Sequence, residues 1–278
     1  MSFFRKLFVL IADLFICFSA YSQEDSVMYA RDSVIEIEKE CYERFFELAD
    51  QIPDLKKITV ITNAKQTQNL AAFKSTHEMS QFSQQCLSDL DEDGKKELLV
   101  WNYTGGAHCC DELYIFKNIS PDKYQLAVKT FAGNVCITEN KEIIYDFYEQ
   151  FGYFFTCYAC AYEDTTDTGP VPVHNIVLKY NQGKLIIVPA EADFKNVITD
   201  NLTKLGELTF QPLRDEIDQD NGLRKEFALN LAVYYYSYGR NIAETKRLFD
   251  KYYRFPDSKK VWTEFSETLN RIGKNNDF

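Results

Sequence analysis

Three aspartates at alternate positions, Asp89, Asp91 and Asp93, followed at once by Gly94, are the most chemically specific run in the chain. At that spacing three carboxylates converge on one point, and the glycine permits the tight turn that wraps a backbone around an ion. Glu97 adds a fourth carboxylate close by, and a cation relieves the repulsion among them. Oxygen ligands alone suit a hard cation. Calcium accepts roughly six to eight oxygens in flexible geometry, whereas magnesium demands a stricter octahedron, so a loop of this kind suits calcium. Extracellular calcium modules commonly have Kd values of about 10⁻⁴ to 10⁻³ M, which makes the expected ion structural rather than a signal. Without an ion the same run is an acidic, solvated turn.

An EF-hand needs a bidentate acid at its twelfth position, where this chain has Val100 inside an apolar run, so that motif is excluded. The segment Asp89-Leu90-Asp91-Glu92-Asp93-Gly94-Lys95-Lys96-Glu97-Leu98 instead resembles the calcium loop of FG-GAP and VCBS-type repeats. In that family the loop joins two strands. The resemblance implies calcium ligation by the side chains of Asp89, Asp91, Asp93 and Glu97 and by the carbonyl of Lys95. It covers about a dozen residues and occurs once, whereas a propeller repeats the unit, so the loop carries over and the fold does not. Tyr103-Thr104-Gly105-Gly106-Ala107-His108-Cys109-Cys110 adds a narrower resemblance, to exported bacterial proteins in which such a loop precedes a GGAHCC-like turn.

No catalytic motif accompanies the loop. The three histidines, His77, His108 and His174, stand in no hydrolase or zinc-protease pattern. His108 beside Cys109 suggests a thiol and its base, but neighbours on a strand diverge and an oxidised cysteine does not attack. Gly105-Gly106 lacks the strand-to-helix setting of a phosphate loop. Asp164 and Asp167 lie in a turn-rich stretch, and Tyr234, Tyr235 and Tyr236 are an aromatic run that suits a carbohydrate or peptide groove or, at helical spacing, a core.

Residues 1–22 read as a cleaved secretory signal: Arg5 and Lys6 precede an apolar stretch, and Ala20-Tyr21-Ser22 supplies the small residues signal peptidase reads. The apolar stretch is interrupted by Asp13 and is shorter than the roughly 20 residues that cross a bilayer. Ile16 before Cys17 argues against a lipid anchor. The formal charge is −11, and the removed segment carries a net +1, leaving −12. Such a surface repels phosphate backbones and anionic lipid, which disfavours nucleic acid and membrane surfaces as partners. Seven cysteines remain after Cys17 is removed, and in an oxidising compartment they read first as disulfide partners, with at least one left over. Cys157-Tyr158-Ala159-Cys160 is the rival, half a zinc site, but no second well-spaced pair completes it.

Around the loop, residues 23–53 show helical spacing through Ile37, Cys41, Phe45 and Leu48. Short runs rich in Val, Ile, Tyr and Phe follow, predicting strands over 58–62, 98–103, 112–116, 124–131, 142–147, 153–159, 176–180 and 184–188, the last two joined at Asn181-Gln182-Gly183. Beyond Pro189 helices return, capped at Asn221, Asn241 and Asp257, with Gly239 and Gly273 as stops. The reading is α+β: an antiparallel meander, sandwich-like, over 23–192 with an N-terminal helix, then a helical bundle over 193–278. The expected function is that of an exported, calcium-stabilised binding or interaction protein acting on a protein or glycan ligand in the periplasm or outside the cell. The alternative is an extracytoplasmic, hydrolase-like enzyme whose site is dispersed in sequence.

Overall fold

Residues 49–64, 66–105, 110–158, 160, 172–210, 212–213 and 222–278 are described by the computed structural model. The expected signal segment, most of the 23–53 helix, the Gly106-to-Cys109 turn, Asp164, Asp167 and the Asn221 cap lie outside them. The end of the expected helix takes a different form. Asp50–Gln51 is a short strand, β1, paired with Leu87 and Cys86.

The chain is α+β. One sheet holds seven strands in the order β1, β4 (Gln84–Ser88), β5 (Glu97–Tyr103), β6 (Asp111–Ser120), β7 (Lys123–Ala132), β2 (Thr59–Asn63) and β3 (Gln66–Asn69). A second sheet holds four, in the order β11 (Lys184–Ile187), β10 (Asn175–Asn181), β9 (Glu142–Asp146) and β8 (Val135–Ile137). The larger sheet departs from a pure meander because β2 pairs with β7 in parallel. The chain between those strands runs through β3, helix α1 (Leu70–Thr76) and β4 to β6, far longer than a parallel crossover requires.

Leu98, Leu99, Val100 and Trp101 explain why β5 lies centrally. Alternate side chains serve opposite faces: Leu98 and Val100 pack with Phe73 of α1, Tyr114 and Phe116, while Leu99 and Trp101 join the main core. A strand buried on both faces reads as a continuous apolar run, and it cannot sit at an edge.

The main core continues without a break through Tyr145, Ile176 and Leu178 of the small sheet into the helices that follow. These are α2 (Tyr148–Phe151), α3 (Ala192–Gly206), α4 (Leu223–Ser237), α5 (Ile242–Tyr252) and α6 (Ser258–Asn275). Asn241 caps α5 as its sequence position predicts, accepting from the amides of Ala243 and Glu244 at 3.1 Å each. The cap residue of α4 is Gly222, in a left-handed conformation at φ 88°. Helix α4 runs through the core rather than along it, burying Leu223, Phe227, Leu231, Tyr234 and Tyr236 and also Arg224, Lys225 and Asn230. Tyr234 and Tyr236 are therefore core residues rather than a groove lining. Asp257 begins α6, but its carboxylate faces away from the helix to accept from Arg224 and Tyr253. Gly273 does not stop α6, which continues to Asn275.

The strand expected over 153–159 does not form. Phe154, Thr156 and Tyr158 are buried, Phe155 has a positive φ of 55°, and the chain turns at a disulfide between Cys157 and Cys160. That bond rules out a zinc site on this pair in the oxidised chain. Cys110 and Cys136 are also disulfide-bonded, and among the described residues Cys86 is the free thiol, buried, with burial pushing it up to about 12. No helix among the described residues is long and apolar enough to cross a membrane.

Candidate metal centre

The loop predicted from its aspartates connects β4 to β5, so both ends are fixed by antiparallel pairing, with Ser88 opposite Glu97. Gly94 has φ +85°, where a side chain is strained, and the chain folds back there. Asp89, Asp91 and Glu97 each place one carboxylate oxygen within 4.8 Å of the others. Glu97 is the deepest, 3% exposed, because it starts a buried strand.

Each of these three carboxylates is aimed by a backbone amide. Gly94 N donates to Asp89 Oδ2 at 3.0 Å, Gln182 N to Asp91 Oδ2 at 2.8 Å, and Leu90 N to Glu97 Oε2 at 3.0 Å. The opposite oxygens of the two aspartates, Asp89 Oδ1 and Asp91 Oδ1, are buried and make no hydrogen bond among the described residues. A buried acceptor without a donor costs roughly 1 to 3 kcal/mol, a cost that a cation or a water at those oxygens would offset. Burial, opposed by the Leu90 amide and reinforced by the charges of Asp91 and Asp93, pushes the Glu97 carboxyl up to about 7. Bound metal favours the ionised form instead. The donor set is oxygen throughout, which fits a hard divalent ion.

Asp93 and Lys95 are placed differently. Asp93 lies outside the converging trio, its Oδ1 accepting from Lys95 N at 2.8 Å and its Oδ2 lying 3.9 Å from Lys95 Nζ. The structure thus brings together Asp89, Asp91 and Glu97 of the five residues the resemblance implies.

Gln182 belongs to a two-residue turn between β10 and β11, with Gln182 and Gly183 both at positive φ, the geometry a tight hairpin favours. The hairpin was legible in Asn181-Gln182-Gly183, but its contact with Asp91 was not. A neighbouring groove of about 610 Å³ is bounded by Asp91 and Glu92 on the loop, Lys141, and Lys179, Tyr180 and Ile186 of the hairpin. Lys141 pairs with Glu92 at 3.3 Å and Lys179 with Glu142 at 3.0 Å, so its cations are already countered.

Sequence reasoning missed a second cluster. His174 Nδ1 lies 2.9 Å from Asp146 Oδ1, which also accepts from Tyr148 N, and the Tyr148 ring stands edge-on to the imidazole. Glu226 of α4 sits close enough for the His174 charge to pull its carboxyl down against a larger upward push from burial. Burial likewise raises Asp111 to about 6, with the Val135 amide and Trp101 opposing and the Asp146 charge assisting. Asp111, Asp146, His174 and Glu226 come from β6, β9, the entry to β10 and α4, and no local spacing connects them. The chain matches no family model, no curated protein and no solved structure.

Proposed function

We propose that this chain is an exported binding or interaction protein whose strand-connecting loop holds calcium as a structural ion, in the manner of an FG-GAP or VCBS-type loop. Two observations carry the reading: Asp89, Asp91 and Glu97 each place a carboxylate oxygen within 4.8 Å of the others, and Asp89 Oδ1 and Asp91 Oδ1 are buried with no hydrogen bond among the described residues. On this reading Asp93 turns from the Lys95 amide and, with the Lys95 carbonyl, completes the ligand set. Water fills what remains of calcium's roughly six to eight positions. The ion acts by neutralising the trio. The scaffold for this role is a sandwich-like pair of sheets closed by the helical region, acting on a protein or glycan ligand outside the cytoplasm, where calcium is plentiful and disulfides persist.

Terbium luminescence tests the site directly, because the buried Tyr180 is coupled electrostatically to Glu97, Asp91 and Asp93 and can sensitise an ion among them. Excitation of tyrosine is expected to give terbium emission that calcium competes away, with Asp91→Asn weakening binding about tenfold, equivalent to about 1.4 kcal/mol. Emission that is absent, or untouched by calcium, rejects the proposal.

A second reading, an extracytoplasmic hydrolase-like enzyme, draws support from the Asp146 and His174 pair, since a carboxylate at Nδ1 fixes the tautomer a general base needs. On that reading His174→Gln lowers turnover of a responsive ester or glycoside substrate by about a hundredfold or more. No turnover by the parent chain across such a substrate panel, or turnover that survives the substitution, sinks it.

A further inference from the structure

Cys157 and Cys160 close a short loop, with a sequence separation of 3, and they differ in exposure. Cys160 lies at the surface, while Cys157 is half-buried beneath it. The turn between them is fixed independently of the sulfur bond. Cys160 N donates to Cys157 O at 3.1 Å. From below, the Lys225 ammonium of α4, itself 0% exposed, donates to Gly152 O at 3.4 Å, Cys157 O at 3.2 Å and Tyr158 O at 2.9 Å. The same ammonium lies 5.2 Å from the centre of the Tyr148 ring.

A cross-link stabilises mainly by restricting the unfolded chain, and the benefit shrinks with the loop it closes. Here the loop is short and the folded turn is held by four backbone groups and a lysine, so this bond adds little that the fold lacks. The same restraint keeps the two sulfurs together after reduction, which makes re-formation fast. A disulfide that stabilises little and re-forms readily is suited to exchange rather than to stapling.

We propose that Cys157–Cys160 is a thiol-exchange site, with Cys160 as the sulfur that an external dithiol or protein thiol attacks. The incoming thiolate bonds to Cys160 Sγ, the bond between the two cysteines breaks, and its electron pair leaves on Cys157 as a thiolate, which the buried Lys225 charge favours. The partner's second thiol then attacks the mixed disulfide. It is released as its own disulfide, Cys160 leaves as a thiolate, and two protons from the dithiol end on Cys157 and Cys160. The partner is oxidised by two electrons and this chain is reduced by two. Tyr153, 76% exposed with its ring 5.4 Å from that of Tyr158, offers the attacking protein an exposed aromatic ring next to a residue of this turn. Other charges face this turn as well. Glu149 and Asp146 act on the Tyr158 phenol together with Tyr148 and Tyr153, and Glu226 acts on Lys225.

The test treats the full chain with graded dithiothreitol, traps thiols with an alkylating agent and locates them by mass spectrometry. Cys157 and Cys160 are expected to be trapped together at a reductant concentration at least tenfold below that needed for Cys110 or Cys136. Oxidised glutathione is expected to reverse the change, and the double variant Cys157→Ser with Cys160→Ser to melt within about 3 °C of the parent. In Cys160→Ser, absorbance at 240 nm is expected to follow Cys157 with a midpoint below the ordinary cysteine value of about 8.5. Cys86, pushed up to about 12, stays silent there. Reduction of this pair only alongside the others, or a double variant that melts far below the parent, marks a structural staple and overturns the proposal. A Cys157 midpoint at or above about 8.5 overturns the assigned leaving group.

Discussion

In calcium-free buffer the chain is expected to lose about 2 kcal/mol of stability as the pH rises from 4.5 to 7, and saturating calcium is expected to remove that loss. Glu97 ionises near 4.5 in the unfolded chain and near 7 in the folded one, because burial holds its proton. Between those values the folded chain carries the extra proton, so each step up in pH favours unfolding, and above 7 the loss is complete. A shift of this size corresponds to about 3 kcal/mol at full strength, and water reaching the rim of the loop reduces it to about 2. Calcium reverses the preference by favouring the carboxylate. At roughly a hundredfold excess over Kd it adds about 2.7 kcal/mol, or about 5 to 10 °C for a chain of this size. Asp111 contributes a similar decline between 3.8 and about 6 that calcium leaves in place, since it stands outside the loop. Chemical denaturation at pH 4.5, 6 and 7.5, with calcium and with chelator, separates the two, and Glu97→Gln is expected to abolish only the calcium-sensitive part. Curves that coincide with and without calcium at every pH contradict the ion-binding reading.

Removing Asp257 should have the largest effect of any single change described. Its Oδ2 receives both Arg224 Nε and Arg224 Nη2 at 2.7 Å, and its Oδ1 receives the Tyr253 hydroxyl at 3.0 Å. Arg224 is 0% exposed, and its guanidinium stands 5.3 Å from the Phe210 ring. Asp257→Ala removes that carboxylate from beside a buried cation, a defect of about 3 to 5 kcal/mol, or about 10 °C or more. Pairing it with Arg224→Met removes the buried charge as well, and the double variant is expected to recover most of the loss, as measured by melting temperature. A single variant that melts as the parent does means that other contacts hold the arginine.

What could be read from sequence depended on how local its cause was. The β5 run, the Gln182-Gly183 turn and the Asn241 cap all arise from neighbours along the chain, and each lies where its residues place it. The loop itself was legible for the same reason, since alternate aspartates and a glycine act within a few residues. Asp93 was not separable from its neighbours, because only the fold decides whether a carboxylate turns inward to an ion or, as here, toward the Lys95 amide. The parallel placement of β2 beside β7 depends on where a hairpin docks, which side-chain alternation does not encode. Residues 153–159 misled because aromatic residues dense enough for a strand serve equally well in a buried turn, and the Lys225 ammonium under that turn comes from a distant helix. The Asp146 and His174 pair was invisible for the same reason.

The hydrogen bond from Gln182 N to Asp91 Oδ2 spans 91 positions of sequence and links the hairpin of one sheet to the tip of another. That amide is shielded from solvent exchange only while Asp91 is held in place. On the proposed reading, loss of the ion first loosens the loop and then unlatches this remote turn, before the core of either sheet is disturbed. The exchange rate of one amide on β10–β11 therefore reports metal occupancy from afar. If the chain is exported and binds calcium as proposed, the same opening ties its lifetime among extracellular proteases to the calcium around it.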